Sequence, residues 1–410
     1  MWSSLKNKKN NLDQSKLGCL RNCPICDSKN SKKIFELENF QFYSDSETLN
    51  KQFSIKENIC FDCFAIYLNP VYTEYGFQVL FDQAGQSYGV LESHILEQIN
   101  WLNQRNLLDE GSSILDVGCY DGEFLSKLPN NIFKYGVDID KPAIEKARKR
   151  FNGNSAEFYH GAFEHFEYSG HPPDTIIMFH VLEHVAYPKK VLEKLRNISK
   201  KTTNLIVEVP IIQNGFTNDI NGFFSIQHST HFSQNSLRNC LNLSGWEIIE
   251  ENSMPDYNGY RTNAIPRIDY KNDNLPNLEN SDWITHLNYL SHWHNALKDV
   301  EKKISQINNH QKYIIWGAGA HTEFLFQTTS FFHNKHDIEF LIVDSDTLKQ
   351  GTKWRGINIV NPEIISNLDT DNIGFLISTY GSQHQIKDLI LNFNILEKNI
   401  YPLYDKIIQY

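Results

Sequence analysis

The feature that most constrains the fold is the segment ILDVGCYDG at residues 114–122, where a short apolar run leads into two closely spaced glycines. Without side chains at Gly118 and Gly122, the backbone can turn tightly after a buried strand and approach a ligand. The next apolar run ends at Asp138. An acid at the tip of the second strand is the group that grips a ribose diol in nucleotide-binding sheets. The segment therefore predicts a doubly wound sheet that binds a nucleotide-like ligand, or an ordinary Rossmann-like turn that binds none.

Strand-like and helical runs alternate along most of the chain, which predicts an α/β fold with a largely parallel sheet. The strands are predicted at 113–117, 133–138, 174–179 and 204–209, and the helices at 123–128, 141–151 and 188–199. An Asn-rich linker at 270–280 and a helix over 282–307 precede a second α/β unit, which begins at the Gly-x-Gly turn of Gly317 and Gly319. The apolar positions of that helix are Trp283, Leu287, Leu290, Trp293 and Leu297. Strands at 338–343 and 373–378 continue that unit.

The 410 residues are therefore expected to form several units. These are a loose polar tail over 1–20, a small metal-binding module over 21–75, a Rossmann-like core over 76–270, a linker and helix over 271–310, and a smaller Rossmann-like domain over 311–410.

Two Cys-x-x-Cys pairs form the most specific local motif, and they consist of Cys23, Cys26, Cys60 and Cys63. Each turn can present two thiolates to one ion, and two such turns complete a tetrahedron. The pairs therefore predict a structural Zn²⁺ site with no open coordination position. The alternative is four independent cysteines that are buried or redox-active.

Composition narrows the class of partner. The net charge is −10 and no long basic block is present, which disfavours nucleic acid as the main partner. No apolar run approaches the roughly 18 residues of a membrane helix, and the polar N-terminus lacks an apolar signal core. We therefore expect a cytoplasmic protein that acts on a small molecule away from membranes, and the sequence leaves its oligomeric state open.

The glycine segment resembles the first motif of class I methyltransferases that use S-adenosylmethionine (SAM), with Tyr120 in place of the usual middle glycine. The second cysteine pair is followed by a short apolar run and Asn69-Pro70, which resembles the zinc-binding lead-in of three-part sugar C-methyltransferases. The resemblance runs from about residue 20 through all three parts, and it implies a SAM-binding core. The residues assigned to the SAM site are Asp116, Gly118, Gly122, Asp138, Ile139, Phe163 and His180.

Two of these assignments rest on later motifs of the core. Phe163 follows the third predicted strand, where it either packs on the adenine ring or serves as a core aromatic. His180 lies in the segment at 176–185, which resembles the superfamily's fourth-strand motif that often ends in Leu-Glu-His. That analogy places His180 near the methionine end of SAM, and the role expected for His184 is to fix the local loop.

The candidate catalytic residues are His228 and His231, in the segment FSIQHSTHFS at 224–233. Aligned on Phe232-Ser233, His228 falls on the last histidine of a Tyr-His-Glu-His stretch, which is the catalytic base in sugar C-methyltransferases. Ser225 and Ile226 replace the tyrosine and the first histidine, so O-methylation competes with C-methylation. A histidine can accept a proton near neutral pH, although a lone histidine is usually structural.

The resemblance implies methyl transfer from SAM to a carbon or hydroxyl of a sugar in nucleotide-linked form. One alternative is an NAD-dependent oxidoreductase or epimerase that uses the C-terminal Gly-x-Gly turn, where Thr322 stands in place of a third glycine. Another is a noncatalytic scaffold that binds SAM or zinc.

Overall fold

The computed structural model describes residues 10–42, 49–81, 92–151, 156–165, 167–168, 170–215, 217–254, 258–270, 276, 280–333 and 338–408. Within these ranges the chain forms an N-terminal unit (10–81), a central unit (92–270), a long connecting helix and a C-terminal unit (312–408). The first nine residues of the expected tail and most of the expected linker lie outside the described residues.

The N-terminal unit is built around a long antiparallel hairpin. Its elements are β1 (Asn10–Asn11), α1 (Gln14–Leu17), β2 (Gly18–Cys19), β3 (Ser31–Gln41), β4 (Leu49–Asn50), β5 (Gln52–Cys60), β6 (Ile66–Leu68), β7 (Val71–Tyr72) and α2 (Glu74–Phe81). The strands β3 and β5 form the hairpin, and β6 pairs with β5.

The expectation of a loose tail to residue 20 is wrong for residues 10–20. Asp13 caps α1 by accepting a hydrogen bond from the Ser15 amide, and Leu17 is fully buried. The strand β2 pairs with β7. Burial of Leu17 and backbone pairing order a segment whose polar composition suggests a tail.

The central unit is a doubly wound sheet. Its elements are α3 (Glu92–Asn103), β8 (Ser113–Val117), α4 (Glu123–Ser126), β9 (Phe133–Asp138), α5 (Lys141–Phe151), β10 (Ala156–His160), β11 (Thr175–Phe179), α6 (Pro188–Ile198), β12 (Asn204–Val209), β13 (Thr230–His231), α7 (Gln234–Leu243), β14 (Trp246–Met254) and β15 (Gly259–Pro266). The predicted strands and helices of this unit are present within a residue or two.

The strand order in the central sheet is β10-β9-β8-β11-β12-β15-β14, and β15 runs antiparallel to both of its neighbours. The chain winds outward from β8 in one direction and from β11 in the other. The carboxyl ends of β8 and β11 therefore flank the point where the strand order reverses, which is where open α/β sheets bind ligands.

The connecting helix α8 (Asn280–Ser305) buries only part of the apolar stripe that its sequence predicts, since Leu290 and Leu297 pack inward but its first turns do not follow the pattern. The predicted stripe was Trp283, Leu287, Leu290, Trp293 and Leu297. Trp293 is buried, but Trp283 and Leu287 are 41% and 49% exposed. The inward face instead includes Asp282 and His286, which are both buried, and the amide of Asn235 donates a hydrogen bond to Asp282.

The C-terminal unit repeats the doubly wound plan on a smaller scale. Its elements are β16 (Lys312–Trp316), α9 (Ala320–Thr328), β17 (Glu339–Val343), β18 (Lys353–Trp354), β19 (Ile357–Val360), a 3₁₀ helix (Pro362–Asn367), β20 (Ile373–Ile377), α10 (Gln383–Asn392), a second 3₁₀ helix (Glu397–Asn399) and β21 (Ile400–Tyr401). The order is β18-β19-β17-β16-β20-β21, so its own reversal lies between β16 and β20.

The N-terminal unit packs against both of the others. The strand β13 of the central unit pairs with β6, which extends the N-terminal sheet to the order β13-β6-β5-β3. On the opposite side, Phe40 contacts Phe324 of α9 with ring centroids 5.6 Å apart. The N-terminal unit is therefore an integral part of the molecule rather than a separate appendage.

Candidate functional site

The glycine turn, residues 117–122, follows β8 at the reversal point of the central sheet. Gly118 and Gly122 have φ values of +85° and +74°. A Cβ on Gly118 would lie 2.3 Å from Cγ2 of Val181, so the turn also packs tightly against the segment after β11. Tyr120, which replaces the usual middle glycine, has a φ of +47°. The departure in sequence therefore keeps the left-handed backbone at some conformational cost.

Asp138 lies where the sequence predicts, at the end of the neighbouring strand β9. Its Oδ2 accepts a hydrogen bond from the Tyr120 amide and its Oδ1 accepts one from the Asp140 amide, both at 2.8 Å. Each oxygen keeps a further lone pair for a ligand hydroxyl. Asp116 is buried beside it, and burial together with the charge on Asp138 raises the pKa of Asp116 to about 8. Asp138 is therefore the carboxylate of the pair that is better placed to meet a ribose.

Two further residues assigned to the SAM site, Ile139 and Phe163, follow the neighbouring strands β9 and β10. Ile139 is partly buried, and its carbonyl accepts a hydrogen bond from Nε2 of His160 at 3.1 Å. Phe163 is 5% exposed and belongs to the hydrophobic core, with Nζ of Lys194 5.4 Å from its ring centroid. These contacts match the core-aromatic alternative for Phe163, and its contact with adenine stays a prediction.

His180 stands at the end of β11, on the other side of the reversal point from the glycine turn. Its Nε2 lies 3.1 Å from Oε1 of Glu208, which is fully buried and also accepts a hydrogen bond from Nε of buried Arg261. Burial opposes the charged imidazolium, but the hydrogen bond to Glu208 and the charges on Glu183 and Glu208 raise the pKa of His180. The site therefore contains a buried charge network beneath His180.

Glu208 and Arg261 are not among the residues that the sequence predicts for the site. The available signal was a glutamate inside the apolar run of β12, since a charged residue within a buried strand needs a partner. Arg261, on the adjacent strand β15, is that partner.

Two loops bring a group of histidines together next to His180. The backbone carbonyl of Glu183 accepts a hydrogen bond from the Ser229 amide at 2.7 Å, and the Ser229 hydroxyl donates to the His184 carbonyl at 3.0 Å. Nδ1 of His184 lies 3.1 Å from the Gln227 carbonyl. The rings of His184 and His228 consequently meet edge to face with centroids 4.9 Å apart.

The two candidate catalytic histidines occupy different surroundings. His228 is partly buried within this group, and burial and the nearby imidazoles, chiefly that of His184, lower its pKa well below the usual range. His231 is 6% exposed, and its Nε2 lies 3.1 Å from Oε1 of buried Glu57 on β5. His228 therefore belongs to the histidine group next to His180, whereas His231 joins the central unit to the N-terminal sheet.

Arg21 fixes this arrangement from the N-terminal unit. Arg21 is buried, and its guanidinium donates to the backbone carbonyls of Leu68, Ala186 and Ser229. Burial lowers its pKa to about 10, so it remains charged at neutral pH. Because Ala186 and Ser229 lie on the two loops that carry His184 and His228, Arg21 holds both loops against β6.

The four predicted metal ligands converge in the N-terminal unit. Sγ of Cys23 lies 3.4 Å from Sγ of Cys63, and Sγ of Cys26 lies 3.6 Å from Sγ of Cys60. All four sulfurs lie within 4.8 Å of one another. Sulfurs bound to a tetrahedral Zn²⁺ at about 2.3 Å are about 3.8 Å apart, so the group fits one zinc ion.

The C-terminal Gly-x-Gly turn lies at the reversal point of its own sheet, where the space beside Gly319 is open but Gly317 packs closely against the segment after β20. A Cβ on Gly317 would lie 2.7 Å from the Ser378 carbonyl. His321 is 7% exposed, with Nδ1 3.2 Å from the Ser378 hydroxyl and Nε2 2.6 Å from the Tyr404 hydroxyl. This geometry gives no support to an NAD site at the turn.

Comparisons with known families agree with the central geometry. Residues 93–251 match the family model described as "Methyltransferase domain", and residues 309–401 match the model described as "C2185-like, N-terminal". A search of curated proteins finds no match. The first match spans the glycine turn, Asp138 and the histidine group. Residues 93–251 therefore form a methyltransferase domain.

Solved structures with weak similarity include the magnesium protoporphyrin IX methyltransferase of Synechocystis PCC 6803 with bound SAH. It is 19% identical, covers 47% of this chain and 94% of its own, and has a TM-score of 0.36. The PH0226 protein of Pyrococcus horikoshii OT3 is 17% identical, covers 48% and 99%, and has a TM-score of 0.38. A SAM-dependent methyltransferase of Clostridium acetobutylicum ATCC 824 is 11% identical, covers 47% and 98%, and has a TM-score of 0.37.

Among the residues described, no helix is both long and apolar enough to cross a membrane.

Proposed function

We propose that this methyltransferase transfers a methyl group from SAM to a hydroxyl or carbon of a sugar, with the sugar in nucleotide-linked form, in the cytoplasm. The observation that carries the proposal is the junction of the glycine turn and the His228 loop. Val181 packs on Gly118, and Glu183, two residues further on, is hydrogen-bonded to the loop that holds His228. A SAM site and a proton acceptor therefore share one edge of the sheet.

In this proposal, one set of residues binds SAM and His228 removes the proton. SAM supplies an already activated methyl group, so the protein mainly has to align the acceptor and remove a proton. Gly118 and Gly122 give the cofactor access to the backbone, and Asp138 accepts hydrogen bonds from its ribose. His228, neutral because of its lowered pKa, accepts the proton of the attacking group.

The remaining assigned residues have supporting roles in this proposal. Asp116, Ile139 and Phe163 shape the cofactor pocket, and His180 lies beside the methionine end of SAM. His231 acts as a positioning residue, because its contact with Glu57 fixes the end of the His228 loop.

The sugar acceptor is supported by the order of the three units, which resembles sugar C-methyltransferases. Ser225 and Ile226 stand where that family has a tyrosine and a histidine, so a hydroxyl is as suitable an acceptor as a carbon. Mass spectrometry of small molecules that copurify with the protein tests the acceptor. A panel of sugar nucleotides assayed for S-adenosylhomocysteine formation then tests turnover. If no sugar nucleotide is methylated by protein that binds SAM, the sugar proposal fails and the scaffold alternative is favoured.

We also propose that the four cysteines hold one structural Zn²⁺, which would stabilise the N-terminal unit by cross-linking its two turns. Elemental analysis of freshly purified protein should give one zinc per chain. Cys60→Ser should lose the metal, whereas Cys19→Ser, whose thiol contacts Tyr187 instead, should retain it. Full zinc content in Cys60→Ser would contradict the assignment.

A further inference from the structure

Beside the proposed SAM site lies a second group of metal-ligating side chains, the histidine cluster of Glu183, His184 and His228. One ligand atom from each residue lies within 4.8 Å of the others. Two nitrogens and one carboxylate oxygen form a common ligand set for divalent transition metals. This group shares no residue with the four cysteines.

The carboxylate of Glu183 needs a partner that its surroundings do not supply. Its side chain is 2% exposed, and its Oε2 has no hydrogen-bond partner among the described residues. Oε1 lies 3.7 Å from Nε2 of His184 and 3.8 Å from Nδ1 of His180, which is too far for a hydrogen bond. An isolated buried carboxylate is costly, and a bound cation would compensate it.

The separation between these groups suits an intervening ion. Two ligand atoms that are each about 2.1 Å from a tetrahedral ion lie about 3.4 Å apart, close to the 3.7 Å between Glu183 and His184. His184 is 31% exposed, so an ion can enter from solvent.

The second ring nitrogen of His184, Nδ1, already takes part in a hydrogen bond. Nδ1 faces the Gln227 carbonyl at 3.1 Å, and a carbonyl only accepts, so Nδ1 carries the proton. Nε2 therefore carries the lone pair, and it lies 3.7 Å from Oε1 of Glu183. Metal-binding histidines characteristically donate their second N–H to a backbone carbonyl or carboxylate in this way.

We propose that Glu183, His184 and His228 bind a divalent transition-metal ion such as Co²⁺ or Zn²⁺ in the acceptor cleft. Imidazole ligands disfavour Mg²⁺ and Ca²⁺, which prefer all-oxygen sites. A metal on His228 occupies the lone pair that the proposed function uses to accept a proton. Methyl transfer should therefore fall as the site fills, and this second statement rests on the proposed function.

Titration of the full-length, zinc-loaded protein with Co²⁺ alone tests the site. Calorimetry and visible absorption should show one equivalent bound beyond the cysteine-bound zinc. Glu183→Gln and His184→Ala should each weaken that binding at least about tenfold. His333→Ala, which removes an exposed histidine that contacts the Phe326 carbonyl, is the matched control and should leave binding unchanged.

No second equivalent, or binding that Glu183→Gln and His184→Ala both leave unchanged, would overturn the metal site. Circular dichroism and SAM affinity check that each variant is folded. The effect of Co²⁺ on methyl transfer is read separately. A falling rate supports His228 as the proton acceptor. A constant or rising rate with the site filled would leave the metal site standing and refute that role of His228.

Discussion

In both doubly wound sheets, a backbone amide of the glycine turn donates a hydrogen bond to an aspartate at the end of the next strand. The side chains around that aspartate differ between the two sheets. In the central unit the Tyr120 amide donates to Asp138, and in the C-terminal unit the Ala318 amide donates to Asp344, each at 2.8 Å. Nζ of Lys349 lies 3.3 Å from Asp344, whereas among the described residues no cation pairs with Asp138. A glycine turn and an acid therefore define a possible nucleotide site, and the neighbouring side chains decide whether the acid is available.

The histidines beside the two glycine turns also differ, because those of the central unit are more exposed than the histidine of the C-terminal unit. His184 and His228 are partly exposed in the cleft of the central unit. His321 is enclosed by Ser378 and Tyr404, and burial lowers its pKa to about 3. At the first reversal point the polar side chains remain accessible to a ligand. At the second, they are hydrogen-bonded to one another within the C-terminal unit.

The largest expected difference between the two regions is in turnover. His228→Ala should slow methyl transfer by about 10²–10⁴-fold, because a general base is lost, yet leave SAM affinity within a few-fold. His321→Ala should leave the rate of the folded fraction within a few-fold. Steady-state kinetics and SAM calorimetry on both variants check this. Equal slowing in His321→Ala would remove the distinction between the two regions.

Substitutions of two arginines should distinguish an effect on stability alone from an effect on both stability and catalysis. Arg355→Met leaves buried Glu323 without its ion pair and should lower the free energy of unfolding by roughly 3–5 kcal/mol. Arg21→Met leaves buried carbonyls unsatisfied and should cost roughly 1.5–3 kcal/mol. Only Arg21→Met should also lower kcat, because it releases the loops of His184 and His228. Denaturant unfolding and kinetics of the folded fraction provide the measurement, and a similar loss of kcat in Arg355→Met would contradict the assignment.

The stability of the protein should also depend on pH, because a partly buried carboxylate of the central unit faces the C-terminal unit. Asp219 of the central unit reaches His321, and burial raises the pKa of Asp219 to about 6. Its ordinary pKa in the unfolded chain is about 3.9, so the unfolded state ionises first as the pH rises. Stability is therefore lost between about pH 4 and 6 and stays lower above that range.

Asp219→Asn cannot ionise and should escape this penalty. Its free energy of unfolding should exceed that of the parent by roughly 1–3 kcal/mol at pH 7, with the gap closing toward pH 4. Urea unfolding across this pH range measures the difference. A gap that is independent of pH would show that Asp219 is not the titrating group.

The sequence identifies the elements of the central unit well, because alternating apolar runs and two glycines leave few alternatives. Cysteine spacing likewise predicts which four sulfurs converge. The charge network and the histidine cluster are harder to predict, since Glu208 meets Arg261 and His184 meets His228 only through tertiary packing. The inward face of α8 departs from its apolar pattern only in the first turns, where buried Asp282 and His286 replace Trp283 and Leu287. Residues 10–20 were mistaken for a tail because pairing with β7 cannot be seen in composition.

We infer that SAM binds at the reversal point of the central sheet and that Asp138 accepts hydrogen bonds from its ribose. Calorimetric titration of SAM into Asp138→Ala and Asp344→Ala tests it most directly. A carboxylate that accepts hydrogen bonds from ribose contributes roughly 1.5–3 kcal/mol, so Asp138→Ala should bind SAM about tenfold more weakly or worse. Asp344→Ala should bind it as the parent does. Unchanged affinity in Asp138→Ala, or a loss confined to Asp344→Ala, would contradict the assignment.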